Sequence, residues 1–157
     1  AGANFIRVNV LCGARVTDQG IVEGIAHDLM RLRSTLNAND IAVLADVDVK
    51  HSGPLAARNH ADEVRDAIER GLADAIVVSG AATGSPVCED RLAETAAAAG
   101  DVPVVIGSGT TAESIEQLSR FADGMIVGTA IKRGGDVDAP VDVERVRKLV
   151  EAAAVTR

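Results

Sequence analysis

The stretch "IAVLADVDVKHSGP", residues 41–54, opens as a strand fit for burial and closes in charge. Ile41, Val43, Leu44, Ala45, Val47 and Val49 supply an apolar, β-branched run. Asp46, Asp48, Lys50 and His51 follow toward its end. Side chains alternate across a strand, so Asp46, Asp48 and Lys50 are expected on one face and Val43, Ala45, Val47 and Val49 on the other. The apolar set can pack under helices. The polar set needs water, a partner or a ligand, because an unpaired carboxylate in a dry core is strongly disfavoured.

The same organisation recurs along the chain. Apolar strands are read at 5–10, 41–47, 75–80, 103–108 and 124–129, each followed by a Gly-rich or polar loop and a helix-period segment. Ile21, Ile25, Leu29, Leu32 and Leu36 form one apolar stripe. Ala61, Val64, Ile68 and Leu72 form a second. Residues 89–99 are Ala-rich and helical by propensity. A short helix is expected over 112–120 with Ile115 and Leu118 inward, and Thr110 with Glu113 fits a capping box. A last helix is expected from about 142 to 154, with Asp142 as N-cap.

Strictly alternating β and α units require a parallel sheet, since parallel neighbours need a crossover. Two α/β architectures fit a partial or open set of five units: a sector of a (β/α)8 barrel and an open flavodoxin-like sheet. Both place ligand chemistry at the C-terminal ends of the strands. Polar groups gather there in unit after unit: Arg7 and Asn9 on the first strand, Ser79 on the third and Ser108 on the fourth. A barrel lumen explains that pattern better than a sheet covered on both faces. Arg7 and Asp46 also sit on neighbouring strands, where an ion pair without chemistry is the plainer alternative. No linker or composition break divides residues 1–157, which read as one partial barrel domain.

Composition narrows the partners. The net charge of −7 argues against nucleic-acid binding through a basic surface. Among the charged residues, 14 Asp, 9 Glu and 13 Arg accompany only 3 Lys, and Phe5 and Phe121 are the only aromatics. That balance suggests a salt-adapted protein. No apolar run approaches the roughly 20 residues of a membrane-spanning helix, so no stable membrane insertion is expected. The first residues carry no leader pattern, and Ala1 in place of Met suggests a fragment or a processed product. Cys12 and Cys88 lie far apart, with no metal-like spacing and no disulfide framework. A cytoplasmic location is expected. His27 and His60 fall on helices and read as surface or packing residues.

Two loops carry the phosphate signal. "IGSGTTAE" (106–113) ends a strand in Gly107, Ser108 and Gly109 before a helix start. "GMIVGTAIK" (124–132) ends its strand at Gly128 and Thr129. Glycine lets backbone approach a ligand closely, and free N–H groups attract anions. Such a pair on the final two strands of a barrel is a recurrent phosphate site. "GAATGSP" (80–86) lacks the ending of a P-loop, and "GSGTTA" lacks the third Gly of a dinucleotide fingerprint. Nucleotide hydrolysis and NAD binding are therefore not expected.

Several longer stretches, "GANFIRVNV", "GARVTDQGIVEG", "ADVDVKHSGPL", "RGLADAIVVSGAATG", "VPVVIGSGTTAESI" and "ADGMIVGTAIKRGGDVDAPVDVERV", together resemble the BtpA family, which includes the SgcQ-like proteins. The resemblance covers essentially the whole chain. It implies a (β/α)8 barrel of the ribulose-phosphate-binding type, of which this chain matches strands four to eight, with the first three units absent. Carried onto this sequence, it implies ligand contacts at Asn9, Thr17, Asp18, Gln19, Ser79, Thr83 and Gly84. Gly107, Ser108, Gly109, Gly128 and Thr129 would hold phosphate. Asp18 and Gln19 also read as helix N-terminal residues favoured by the helix dipole.

Three functions stay open. The first is an enzyme of isomerase, lyase or nucleosidase type acting on a phosphorylated sugar or related metabolite. In it, Asp46 or Asp48 is a general base, and Lys50 or His51 polarises a carbonyl or donates a proton. A divalent metal on Asp46, Asp48 and His51 is compatible with the residue types. The second is a non-catalytic assembly or regulatory factor of the photosystem I biogenesis kind. The third is a truncated product that fails alone or forms a homo-oligomer through unpaired strand edges.

Overall fold

Five short parallel strands lie side by side in the order in which the chain makes them. The computed structural model describes residues 2–49, 51–80 and 87–155. Strand β1 (Phe5–Val8) is followed by an antiparallel hairpin, β2 (Ala14–Thr17) and β3 (Gly20–Glu23), and by helix α1 (Ala26–Thr35). Then come β4 (Ala42–Val47), β5 (Ser52–Pro54), α2 (His60–Glu69), β6 (Ala75–Val78), α3 (Glu89–Ala99) and β7 (Val104–Ile106). The last elements are α4 (Ile115–Leu118), β8 (Gly124–Met125) and α5 (Val143–Val155), with two 3-10 turns at Thr129–Ile131 and Arg133–Gly135.

The main sheet runs β1-β4-β6-β7-β8, every neighbouring pair parallel. Strand order equals chain order, with no reversal. A flavodoxin-like sheet needs a switch point where the order turns back, so that alternative is excluded. Monotonic parallel order is what a barrel wall requires.

Burial follows the alternation. Val43, Ala45 and Val47 on β4 are buried, as are Ile76 and Val78 on β6 and Val104 and Ile106 on β7. They join Val64 and Ala67 of α2, Leu92 and Ala99 of α3 and Leu118 of α4 in one apolar cluster, with Leu29 and Met30 of α1 at its margin. This is the helix-covered face. The residues between them, Arg7, Asp46 and Val105 among them, belong to the opposite face.

Several boundaries differ from the periodicity reading. The stripe from Ile21 to Leu36 does not form one helix. Gly20–Glu23 is a strand, and Ile21, Leu32 and Leu36 are 60%, 55% and 65% exposed. The physical reason is the two-residue turn at Asp18 and Gln19, where Thr17 Oγ1 accepts from Gln19 N (3.1 Å) and donates to Gly20 O (3.0 Å). Leu72, expected in the second stripe, follows α2 with φ +56° and is 55% exposed. The strands at 103–108 and 124–129 shorten to Val104–Ile106 and Gly124–Met125. Asp142 does cap α5, its Oδ1 accepting from Glu144 N at 3.0 Å.

Candidate functional site

The first strand and the second wall strand meet through their polar residues. Arg7 Nη2 lies 2.7 Å from Asp46 Oδ1, and Arg7 Nε lies 3.0 Å from Asp46 Oδ2. The pair joins β1 to β4 side by side and is a bidentate guanidinium–carboxylate arrangement. Arg7 Nη2 also donates weakly to Ser79 Oγ, at 3.5 Å, just past β6. A β-carbon on Gly107 would come within 2.5 Å of Ser79 Oγ and 2.8 Å of both Arg7 Nη2 and Val77 Cγ1. Arg7, Val77, Ser79 and Gly107 therefore crowd one spot on the face away from the helices. A side chain at 107 would have to displace these groups.

Asp48 departs from the expected alternation. Strand β4 ends at Val47, and Asp48 takes φ +58°, which turns the chain. Its carboxylate faces Arg15 Nη2 at 3.8 Å and Arg91 Nε at 3.4 Å. The expectation that side chains 46 and 48 share one chamber by parity is thus corrected: only Asp46 belongs to the Arg7 cluster. His51 has φ +53° and is exposed. Asp46, Asp48 and His51 do not form the expected metal-binding group. Among the described residues no three His, Cys, Asp or Glu side chains gather in that way. Lys50, Thr83 and Gly84 lie outside the described residues.

The loops after β1 and β4 build a small cap. Strands β3, β2 and β5 form a second, antiparallel sheet, with Thr17 opposite Ser52. Arg15, only 8% exposed, ties it down: Nε donates to Ser52 Oγ (2.7 Å) and Nη1 meets Glu63 Oε2 (3.2 Å). Ser52 Oγ in turn donates to Val49 O at 2.6 Å. A buried guanidinium needs such partners on every side. Arg15 was not singled out by sequence; its only signal was a basic residue at an alternating position of "GARVT". Beside this cap is a pocket of about 230 Å3 whose walls include Asn9, Cys12, Arg15, Asp46, Arg58 and Glu63. Burial, with Asp66 adding to it, pushes the Cys12 thiol pKa up. Asp18 and Gln19 sit exposed at the tip of the hairpin, not at a helix N-terminus, so no helix dipole acts on them as expected.

The two glycine turns leave adjacent strands. Residue Val105 pairs with Gly124 and Ile106 with Met125, and Ile126 N donates to Ile106 O at 2.7 Å. The segments Gly107–Gly109 and Gly128–Thr129 therefore emerge at the same end of the sheet. Gly109 has φ +84°, a conformation that favours glycine. The expected helix start directly after Gly109 is absent. Helix α4 begins only at Ile115, and Ser114 precedes it in helical conformation without a side-chain cap. Thr110 and Glu113 form no capping box; Thr111 N instead donates to Ser114 Oγ at 3.0 Å. Thr110 is 2% exposed, and its hydroxyl has no partner among the described residues.

His60 is a packing residue, as expected of a helix histidine. It is buried, and its Nε2 lies 2.7 Å from Thr95 Oγ1, which donates to Arg91 O at 2.8 Å. The Thr95 hydrogen is committed to that carbonyl, so His60 Nε2 carries the proton. Burial, and secondarily Arg91, push the His60 pKa below its ordinary value.

A sequential parallel sheet with helices on one face and the Arg7–Asp46 pair on the other defines a barrel-type α/β protein. The BtpA family model matches residues 1–155, and the chain belongs to the BtpA family. An uncharacterized protein of Thermococcus kodakarensis is 54% identical over 155 residues, which are 99% of this chain and 58% of the relative. The Photosystem I biogenesis protein BtpA of Synechocystis is 50% identical over 153 residues, 98% of this chain and 53% of the relative. The chain thus spans about half the length of the curated relatives it matches. Among solved structures, an N-(5'-phosphoribosyl)anthranilate isomerase from Pyrococcus furiosus superposes with a TM-score of 0.61 at 16% identity, over 98% of this chain and 64% of that one. A Schiff-base-forming fructose-1,6-bisphosphate aldolase gives 0.56 at 17% identity, over 99% and 59%. The likeness fixes the fold as five consecutive βα units of a (β/α)8-type barrel.

Proposed function

We propose that this chain binds, and as part of the larger relatives' framework acts on, a phosphorylated sugar or related small metabolite at the C-terminal ends of its parallel strands. The observation that carries the reading is the pair of glycine turns leaving adjacent strands β7 and β8, with Gly107 pressed against Arg7 and Ser79. The structures with the same fold are named for phosphorylated substrates, a phosphoribosyl compound and a sugar bisphosphate.

In this reading the backbone at Ser108, Gly109, Gly128 and Thr129 grips the phosphate. The grip is by turn geometry and backbone N–H groups, since no long helix starts at Gly109. Asn9, Thr17 and Ser79 line the approach. Asp48 and His51, on the loop between β4 and β5, are the groups for proton transfer at the rim, with Lys50 beside them in sequence. Asp46 fits that role less well, because both its oxygens already accept from Arg7.

Calorimetric titration of the protein with glycerol 3-phosphate tests the reading. Saturable binding that weakens by roughly tenfold in Gly109→Ala is expected, a factor of ten being about 1.4 kcal/mol. No binding of any phosphate-bearing probe would end it. A second reading, an assembly factor, draws on the 50% identity to a protein named for photosystem I biogenesis. It requires a protein partner and function that survives both Gly109→Ala and Asp48→Asn.

A further inference from the structure

The ion pair of the lumen face is asymmetric in its exposure. The Asp46 side chain is 6% exposed, whereas that of Arg7 is 34% exposed. The carboxylate is the buried end and the guanidinium the open end. Arg7 stands on β1, the edge strand of the described sheet, and Asp46 on β4 inside it. Here the positive end faces the open side of the sheet.

The hydrogen bonds point the same way. A guanidinium has five N–H donors in a rigid fork. Asp46 takes Nε and one side of Nη2, and Ser79 stands at 3.5 Å from Nη2. Among the described residues, Nη1 makes no hydrogen bond. Nor is the fork free to swing, because the bidentate contact fixes its plane and Val77, Ser79 and Gly107 crowd Nη2. A rigid, oriented donor pair at the mouth of parallel strands is what recognition of an anionic oxygen needs.

We propose that Arg7 is the ligand-binding cation of this face, held by Asp46 and given room by Gly107, and that its Nη1 end receives a carboxylate-type oxygen of the ligand. Asp46 is then a positioning residue. The proposal rests on the reading of this face as a ligand site and deepens it: the ligand carries a second anionic group besides phosphate. Gly107 lies beside Arg7 and begins the turn to Gly109, so the two anionic groups are bound from neighbouring places, which suits a short phosphorylated acid.

Three probes separate the parts: 3-phosphoglycerate, glycerol 3-phosphate and glycerate, each titrated calorimetrically into the protein and its variants. In the unaltered protein 3-phosphoglycerate is expected to bind at least roughly tenfold tighter than glycerol 3-phosphate, the range of a charge-assisted hydrogen bond. Arg7→Gln is expected to erase that preference. Arg7→Lys keeps the charge without the fork and is expected to restore only part of it. Asp46→Asn is expected to reduce it too, because Arg7 loses its orientation; a merely structural pair would change stability but not the ratio between probes. Arg7→Gln removes the guanidinium beside the buried Asp46 carboxylate, so the double variant R7Q/D46N, which removes both charges of the pair, serves if the single one fails to fold. A preference retained without Arg7, or absent from the unaltered protein, overturns the proposal. Binding of glycerate that depends on Arg7, with no binding of glycerol 3-phosphate, keeps the proposal and removes the phosphate reading. No binding of any of the three overturns both.

Discussion

Gly107 and Arg7 stand so close that a β-carbon on the glycine would lie 2.8 Å from the arginine's Nη2. The backbone of one wall strand's end and the charged tip of another thus share a single small volume. The loop after β7 begins with a glycine where the Arg7 guanidinium, held by Asp46, leaves no room for a side chain.

Substituting Gly107 by Ala tests the packing. The new methyl meets Ser79 Oγ, Arg7 Nη2 and the branched Val77. The first two can shift, but only by loosening the Arg7–Asp46 pair. The expected cost is about 1–3 kcal/mol, as for overpacking elsewhere, read from urea denaturation. A variant as stable as the parent would show that the crowding is not real.

Core and stripe separate under mutation. Ile76 is fully buried in the sheet–helix cluster, and Ile76→Ala is expected to cost about 2–5 kcal/mol. Leu32, 55% exposed on α1, is expected to change stability by less than about 0.5 kcal/mol on substitution by Ala. Equal effects at the two positions would place the first helix differently from the arrangement described.

Much of this architecture was legible in the sequence because each wall strand is a short β-branched run with turn residues after it. The runs at Ala42–Val47 and Ala75–Val78 and the Ala-rich helix Glu89–Ala99 appear where the pattern puts them. The hairpin β2–β3 was not read, because Ile21 and Ile25 fit a helical stripe as well as a strand. Its signal was local: Val16-Thr17 and Ile21-Val22 flank a two-residue turn at Asp18-Gln19. Alternation puts Asp46 on the face away from the helices, beside Arg7, but does not place Asp48, since period two ends where the strand does and Asp48 turns at positive φ. Arg15 carries no such signal, because its partners come from separate elements: Asp48 after β4, Ser52 on β5 and Glu63 on α2.

Stability is expected to depend on pH through His60. Its folded pKa lies below the unfolded value of 6.5, because burial and Arg91 disfavour the charged ring, against the opposing pull of Asp48, Glu94 and Glu63. The unfolded chain therefore binds the proton more readily. The contribution is fully present above pH 6.5 and is lost as pH falls below it toward the folded pKa. His60→Gln is expected to flatten the fall in melting temperature between pH 7 and pH 5. An unchanged slope would assign it to the carboxylates.

Salt dependence tests the composition. With 23 acidic against 16 basic residues, self-repulsion across the surface is expected to ease as KCl screens it. The melting temperature is expected to rise with KCl. Greater stability without salt would contradict the salt-adapted reading.

The proposed anion site lies where the glycine turns of β7 and β8 emerge. Titrating the isotopically labelled protein with inorganic phosphate and following backbone amide resonances measures it directly. Saturable shifts that are largest at Ser108, Gly109, Gly128 and Thr129 are expected. No saturable shift, or shifts centred on the α5 surface at Arg145 and Lys148, would contradict it.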